Sequence, residues 1–296
     1  MVEHSPNITC LRFSYYNLLK RNQVYLLLQA YDHQLEELVL IRGHNSFDHK
    51  TDREWIQLLI KYGNLSRLHK LGLAVDTTES LKVICKKFPH LIVFFIRQNY
   101  LKVAINMLAL AKLKHLQTLV FHFGNIDNGN WVPVKDWRHS LVGLHFRRFK
   151  VKNFNSTLDF LRNMVSLLRF TIKTYSQEEL DFVCQNVSPE IEILKITMFE
   201  TDDIFIYVVP TYTRFPDICR LKKLQTLKIC HINPTTVDTL HLLDQKPLPS
   251  IRKLILRQLG EKDCPKLREF NSKINTVFPN FKNFLFIVPD FTAHFW

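Results

Sequence analysis

Cys219, Cys230 and His231 come nearest to a metal-binding cluster in this 296-residue chain, and they fall short of one. Their spacing, C-x10-C-H, lacks a fourth ligand at the short intervals that structural zinc uses. The thirteen histidines are scattered. Two pairs of adjacent carboxylates, Glu178-Glu179 and Asp202-Asp203, read as a helix start and a loop. Acid–base catalysis needs two groups in different environments, which adjacency along the chain does not supply. No HExxH, P-loop, GxSxG or GxGxxG motif occurs, and only 7 glycines are present. The expectation is a non-catalytic protein with no cofactor and no metal.

Charge is the next chemical feature. Forty Lys and Arg face 27 Asp and Glu, a net +13. Such a field attracts acidic proteins, nucleic acids or anionic membrane surfaces without choosing among them. Six cysteines are spread over the chain with no CxxC pair, as for reduced thiols. The N-terminus, MVEHSPNITC, has no basic-then-apolar signal pattern. Apolar runs such as Leu91–Ile96 and Ile204–Val209 are far below the roughly 20 residues of a membrane span. These features predict a cytoplasmic or nuclear chain, in which the four N-x-S/T sequons at Asn7, Asn64, Asn155 and Asn186 are chance.

The elements that position the charges come from a repeat. In CKKFPHLIVFFI, apolar residues fall at 0, +3 and +5 counted from Leu91: Leu91, Phe94, Ile96. The pattern starts again at Ile8, Leu35, Leu68, Leu116, Leu141, Leu167, Ile191, Leu224, Ile251 and Phe281, eleven copies in all. Pro6, Pro89, Pro189, Pro249 and Pro279 each stand two residues before a copy. Proline there ends a preceding helix and favours extended chain before it. Helix signals fill the gaps. Asp76 and Glu79 have capping-box spacing ahead of the stripe Leu81, Ile84, Cys85, Phe88. Ser176 and Glu179 repeat the box ahead of Leu180, Val183, Cys184, Val187. Asn233-Pro234 is a further cap and first-turn pair. Each unit then reads as a short strand, a turn and a helix that bury their apolar faces only by stacking on neighbours.

This pattern resembles leucine-rich repeats, in particular the cysteine-containing kind of F-box proteins. LHKLGLAVDTTESLKVICKKFPHL, Leu68 to Leu91, is the nearest match. The resemblance implies an α/β fold: a single curved solenoid, or horseshoe, spanning residues 1–296, with about eleven repeats, a parallel concave sheet and outer helices. The first copy begins at Ile8 and the last is followed by a short apolar tail, so the expectation is a domain lacking an N-terminal module or cap. The resemblance implies protein binding, with substrate recruitment for a Skp–cullin–F-box ubiquitin ligase and a Skp-type adaptor as partner only if an F-box lies outside this sequence. A scaffold or immune-type recognition protein and an electrostatic binder of nucleic acid or inositol phosphate are the alternatives.

In that repeat type, 0, +3 and +5 face the core and +2, +4 and +6 face the concave side. Of the 33 positions so placed, ten are Lys or Arg and one is acidic. Average composition would give about 4.5 and 3. The candidate binding residues are Phe95, Arg97, His122, His145, Arg147, Arg169, Lys173, Lys195, Lys228, Lys253 and Arg257, and from Arg97 to Arg257 these positions hold no carboxylate. The reading is a dock for an acidic or phosphorylated protein segment, centred on Arg147, Arg169, Lys173, Lys195 and Lys228, against the plainer one that the cations keep an exposed sheet soluble. Phe95 is the only aromatic among the 33, which disfavours stacking of single-stranded nucleic acid. Two long repeats add inserts, RGHNSFDHKTDREW (42–55) and ETDDIFIYVVPTYTRFPD (200–217), each a candidate functional loop or tolerated drift.

Overall fold

Residues two apart on a strand share a face, so the +3 and +5 side chains of each copy point the same way. In the computed structural model every copy carries a strand that begins at +2, while position 0 closes the turn just before it. The structure describes residues 7–13, 21–40, 49–62, 64–75, 77–97, 107–126, 135–151, 158–174, 176–197, 217–232, 248, 250–258, 278–280 and 283–287. The chain forms two compact units, Met1–Thr157 and Leu158–Trp296.

The first unit holds strands β1 (Cys10–Phe13), β2 (Glu37–Leu40), β3 (Lys70–Ala74), β4 (Val93–Arg97), β5 (Thr118–Ile126) and β6 (Gly143–Val151). They pair in chain order, all parallel. The second unit holds β7 (Arg169–Lys173), β8 (Ile193–Thr197), β9 (Thr226–Ile232), β10 (Lys253–Gln258) and β11 (Asn283–Ile287), paired in the same fashion. The architecture is the expected α/β parallel-sheet solenoid. The +3 rows stay in register: Leu38, Leu71, Phe94, Leu119 and Leu144 are successive partners, as are Phe170, Leu194, Leu227, Leu254 and Phe284, and the pairing of β10 with β9 shifts only at its end, between Arg257 and Gln258. A one-residue slip would turn each of these apolar rows out to solvent, so burial itself fixes the register.

A backbone device recurs with the repeat. The carbonyl at +1 of one copy accepts the N–H groups of both +1 and +2 of the next. Thr9, Glu36, His69, Ile92 and Gln117 do this in the first unit, and Leu168, Glu192 and Gln225 in the second, at 2.8–3.2 Å. A turn also recurs ahead of seven strands, while β2 and β6 are entered by a longer one closed from Leu35 N to Tyr31 O and from Leu141 N to Trp137 O. The first residue of the shorter turn is buried at −3 and its carbonyl accepts from the N–H of position 0: Leu65, Phe88, Leu113, Met164, Ser188, Leu221 and Leu248. Pro89 and Pro189 therefore occupy the second position of a β-turn, where their fixed φ is favoured. This −3 core position is one that the 0, +3, +5 pattern does not contain.

Four α-helices are described: α1 (Arg21–Tyr31), α2 (His49–Tyr62), α3 (Thr78–Lys87) and α4 (Gln177–Asn186). The stripes Leu81, Ile84, Cys85, Phe88 and Leu180, Val183, Cys184, Val187 are buried as expected. Ser176 caps α4, accepting from Glu179 N at 3.2 Å. The cap of α3 is Thr77, not Asp76: the Thr77 hydroxyl accepts from Ser80 N at 3.1 Å, and Asp76 lies outside the described residues, as do Asn233 and Pro234. The first long insert is helical at its end, since His49–Trp55 belong to α2 and Trp55 is buried. Of the second insert only Asp217 is described, and Ile204–Val209 lie outside the described residues.

Three described segments between strands are 3-10 helices: Met107–Lys112, Lys135–His139 and Asp159–Asn163. In two of them a buried row recurs by three, Leu110, Leu113, Leu116, Leu119 and Leu158, Leu161, Met164, Leu167, with Ala109 and Phe160 buried beside it. That is the 3-10 period, whereas α3 and α4 alternate threes and fours.

Candidate binding face

Side chains at +2 and +4 leave the sheet on the side away from the buried rows, so neighbouring copies bring them into ranks. In the first unit the +4 rank runs Arg12, Val39, Gly72, Phe95, Val120, His145. In the second, the +2 rank runs Arg169, Ile193, Thr226, Lys253, Asn283 and the +4 rank Thr171, Lys195, Lys228, Ile255, Leu285. The expected ranks therefore exist within each unit.

The two faces differ in chemistry. On the first unit, the acidic residue Glu37 sits between two cations. Arg12 donates from Nε to its carboxylate, and Lys70 Nζ lies 3.0 Å from Oε2. Partial burial pushes the Glu37 carboxyl up, but hydrogen bonds from Arg12 and Lys70, with their charges, hold it below the usual carboxylate range. The same Lys70 ammonium stands 5.6 Å from the Phe95 ring centroid, a cation–π distance. Phe95, Val39 and Val93 are half-buried, so this face is mainly apolar around one internally matched charge cluster.

On the second unit the face is cationic. Arg169, Lys195 and Lys253 are exposed and Lys228 is half-buried. Lys195 and Lys228 are direct partners on β8 and β9, and neither the +2, +4 nor +6 rank of β7–β11 contains an acidic residue. Hydroxyls from Thr171 and Thr226 stand beside these cations in the ranks.

The +6 rank departs from expectation. Arg97 and Lys173 were expected to stand open, yet they keep only 6% and 8% of their surface exposed. β4 and β7 end at these two residues, and the neighbouring Val75, whose N–H donates to the Arg97 carbonyl, and Thr174 are fully buried. His122, Arg147 and Arg257 take their expected backbone places in this rank, and their side chains lie outside the described residues. His145 is half-buried on β6, beside Gly143, where an added Cβ would come within 3.2 Å of both His145 Nε2 and Thr118 Oγ1.

Other groups with chemical potential have structural duties. Glu178 and Glu179 lie in the first turn of α4, where the helix dipole favours negative charge, and the Ser176 hydroxyl holds the Glu178 carboxyl below its usual range. Burial pushes the Cys85 thiol up to about 12 and Cys184 higher still. Such thiols stay protonated and act as small apolar residues. Asn186 of the N-x-S sequon is buried, bonded to Arg162 and to the Phe182 carbonyl. Among the described residues, no three His, Cys, Asp or Glu gather to hold a metal ion, and no helix is long and apolar enough to cross a membrane.

Compared with protein-family models and with curated proteins, the chain gives no match to either.

Proposed function

We propose that this is a non-catalytic recognition protein of the leucine-rich-repeat kind, and that the sheet face of its second unit holds an acidic or phosphorylated protein segment. The observation that carries this reading is the registration of Lys195 beside Lys228, flanked by Arg169 and Lys253, in ranks without a carboxylate. Strands in a parallel sheet are about 4.8 Å apart, so both ammonium groups reach one dianionic phosphate or two closely spaced carboxylates. Exposed cations of one sign on a protein wall raise the local concentration of such a segment and speed its docking. Lys173, being buried, is left out of this dock.

The test is fluorescence anisotropy with labelled phosphoserine-containing and glutamate-rich peptides. Lys195→Glu with Lys228→Glu should weaken binding at least about tenfold, the scale of one or two lost charge-assisted contacts. Unchanged affinity in that double variant rejects the dock.

A further inference from the structure

The first unit carries a second cationic surface, at the edge where β3, β4, β5 and β6 begin. We propose that this leading edge binds the phosphate backbone of a nucleic-acid duplex without reading its sequence. It is independent of the peptide dock, which lies on the other unit.

The edge is built by the recurrent turns. Each tucks its first and last residues into the core and leaves Ser66-Arg67, Pro89, Lys114-His115 and Arg138-His139 exposed, while His90 Nε2 and the Ser140 hydroxyl are buried. Helices return antiparallel to the strands, so the helix ends arrive at the same edge. Lys86 and Lys87 finish α3, and Lys112 finishes the next 3-10 helix. Arg67, Lys86, Lys87, Lys112, Lys114 and Arg138 are all exposed. The Lys112 charge is felt at Cys85 in α3, which places the ends of these two neighbouring helical segments together. The described parts of segments 64–69, 86–92, 112–117 and 138–142 contain no Asp or Glu.

Geometry and composition point to one class of partner. From the turn before β3 to the turn before β6 is three strand steps, about 14 Å. A duplex strand advances about 3.4 Å per phosphate, so the edge spans roughly four phosphates of one strand. A protein partner would want an apolar centre to the contact, and the turn tips offer only polar groups and Pro89. No Phe, Tyr or Trp stands there for a base to stack on, and the exposed His115 and His139 rings are small beside the six exposed cations, which makes the backbone the main target. An anionic bilayer is a weaker match, because no large apolar residue projects from the turns to insert.

Anisotropy of a labelled 20-base-pair random-sequence DNA duplex, titrated from 50 to 150 mM salt, tests the proposal. Four neutralised phosphates at about 0.9 released counterions each predict a slope of log K on log salt near −3.6, a loss of about 50-fold across that range. The variant Lys86→Gln, Lys87→Gln, Lys114→Gln should flatten the slope by about 2.7, and Lys114→Gln alone by about 0.9. Removing the same charge from the other unit, by Arg169→Gln, Lys195→Gln, Lys228→Gln, should weaken the peptide contact and leave the duplex slope in place. Equal losses in both triple variants would mean that only net charge matters and would overturn the proposal. So would an unchanged slope in the edge variants, or binding to phosphatidylserine vesicles with none to the duplex at 50 mM salt.

Discussion

Lys195 and Lys228 are Cα partners on neighbouring parallel strands, so two lysines leave the same face of the second unit one strand spacing apart. Like charges directly opposite each other on a sheet destabilise it by a few tenths to about 1 kcal/mol. A site kept for ligand capture and a surface optimised for stability therefore make opposite demands here. Lys228→Glu should raise the melting temperature by about 1–3 °C, the shift that this energy produces in a domain of this size. The same substitution should weaken capture of acidic peptides, by less than the double variant does. Thermal melts and anisotropy on one preparation check both. A variant that loses stability and keeps binding would assign Lys228 to packing.

Arg220 reaches back from the copy that follows α4 and donates to two of its terminal carbonyls, Nε to Cys184 O at 2.8 Å and Nη2 to Val187 O. Helix ends leave carbonyls without intrahelical partners, and Arg220 supplies two donors at once. Burial lowers its pKa, yet the guanidinium remains charged and complements the negative end of the helix dipole. Arg220→Ala should cost about 1–3 kcal/mol in a urea unfolding curve. Arg220→Lys should recover only part of this, since an ammonium cannot present the same fork. An alanine variant within 0.3 kcal/mol of wild type, roughly the error of such curves, would show that water replaces the bonds.

The solenoid was legible because its signal is periodic and redundant. Leu91, Phe94 and Ile96 state the strand, and ten further copies repeat it. The register followed from the same residues, since burial of the +3 and +5 rows admits one alignment. What escaped had physical causes. Leu65, Leu113, Met164 and Leu221 at −3 merge with the helical stripes before them, and Ser188 breaks the apolar run at that position. Thr77 and Asp76 are both good caps, so spacing alone does not choose between them. Ahead of β7, Leu158, Leu161, Met164 and Leu167 recur by three, the same interval that the 0 and +3 positions use, so the spacing does not set the 3-10 helix apart. On the site, residue type and row were legible for Lys195 and Lys228. Burial of Arg97 and Lys173 was not, because it depends on what the fold packs beside the strand ends.

Thiol chemistry separates the cysteines. Cys10 is exposed, while Cys85 and Cys184 are buried with thiols pushed far above their usual range. Only the thiolate reacts, and access is also required. Iodoacetamide at pH 8 should therefore label Cys10 in the folded protein and leave Cys85 and Cys184 intact, with both becoming reactive in urea. Peptide mass mapping reads the outcome. Rapid native labelling of Cys184 would mean that α4 opens locally far more often than its packing implies.

Glu37 ties acid stability to the face of the first unit. Its carboxyl is held below the usual range in the fold by Arg12 and Lys70. A depressed carboxylate contributes stability that is full above its unfolded pKa and is lost as pH falls through the folded pKa. Wild type should accordingly be more stable than Glu37→Gln at pH 6–7. The difference should begin to shrink below about pH 4.5 and vanish once the folded carboxyl is protonated. Urea midpoints at pH 7, 5, 4 and 3 for the two proteins measure this directly. Because Arg12 is 61% exposed, solvent screens part of the pairing, and 0.5 M salt should narrow the gap at pH 7. A gap that stays constant from pH 7 to pH 3 would show that Glu37 acts through packing, and that neither cation is held in place by its charge.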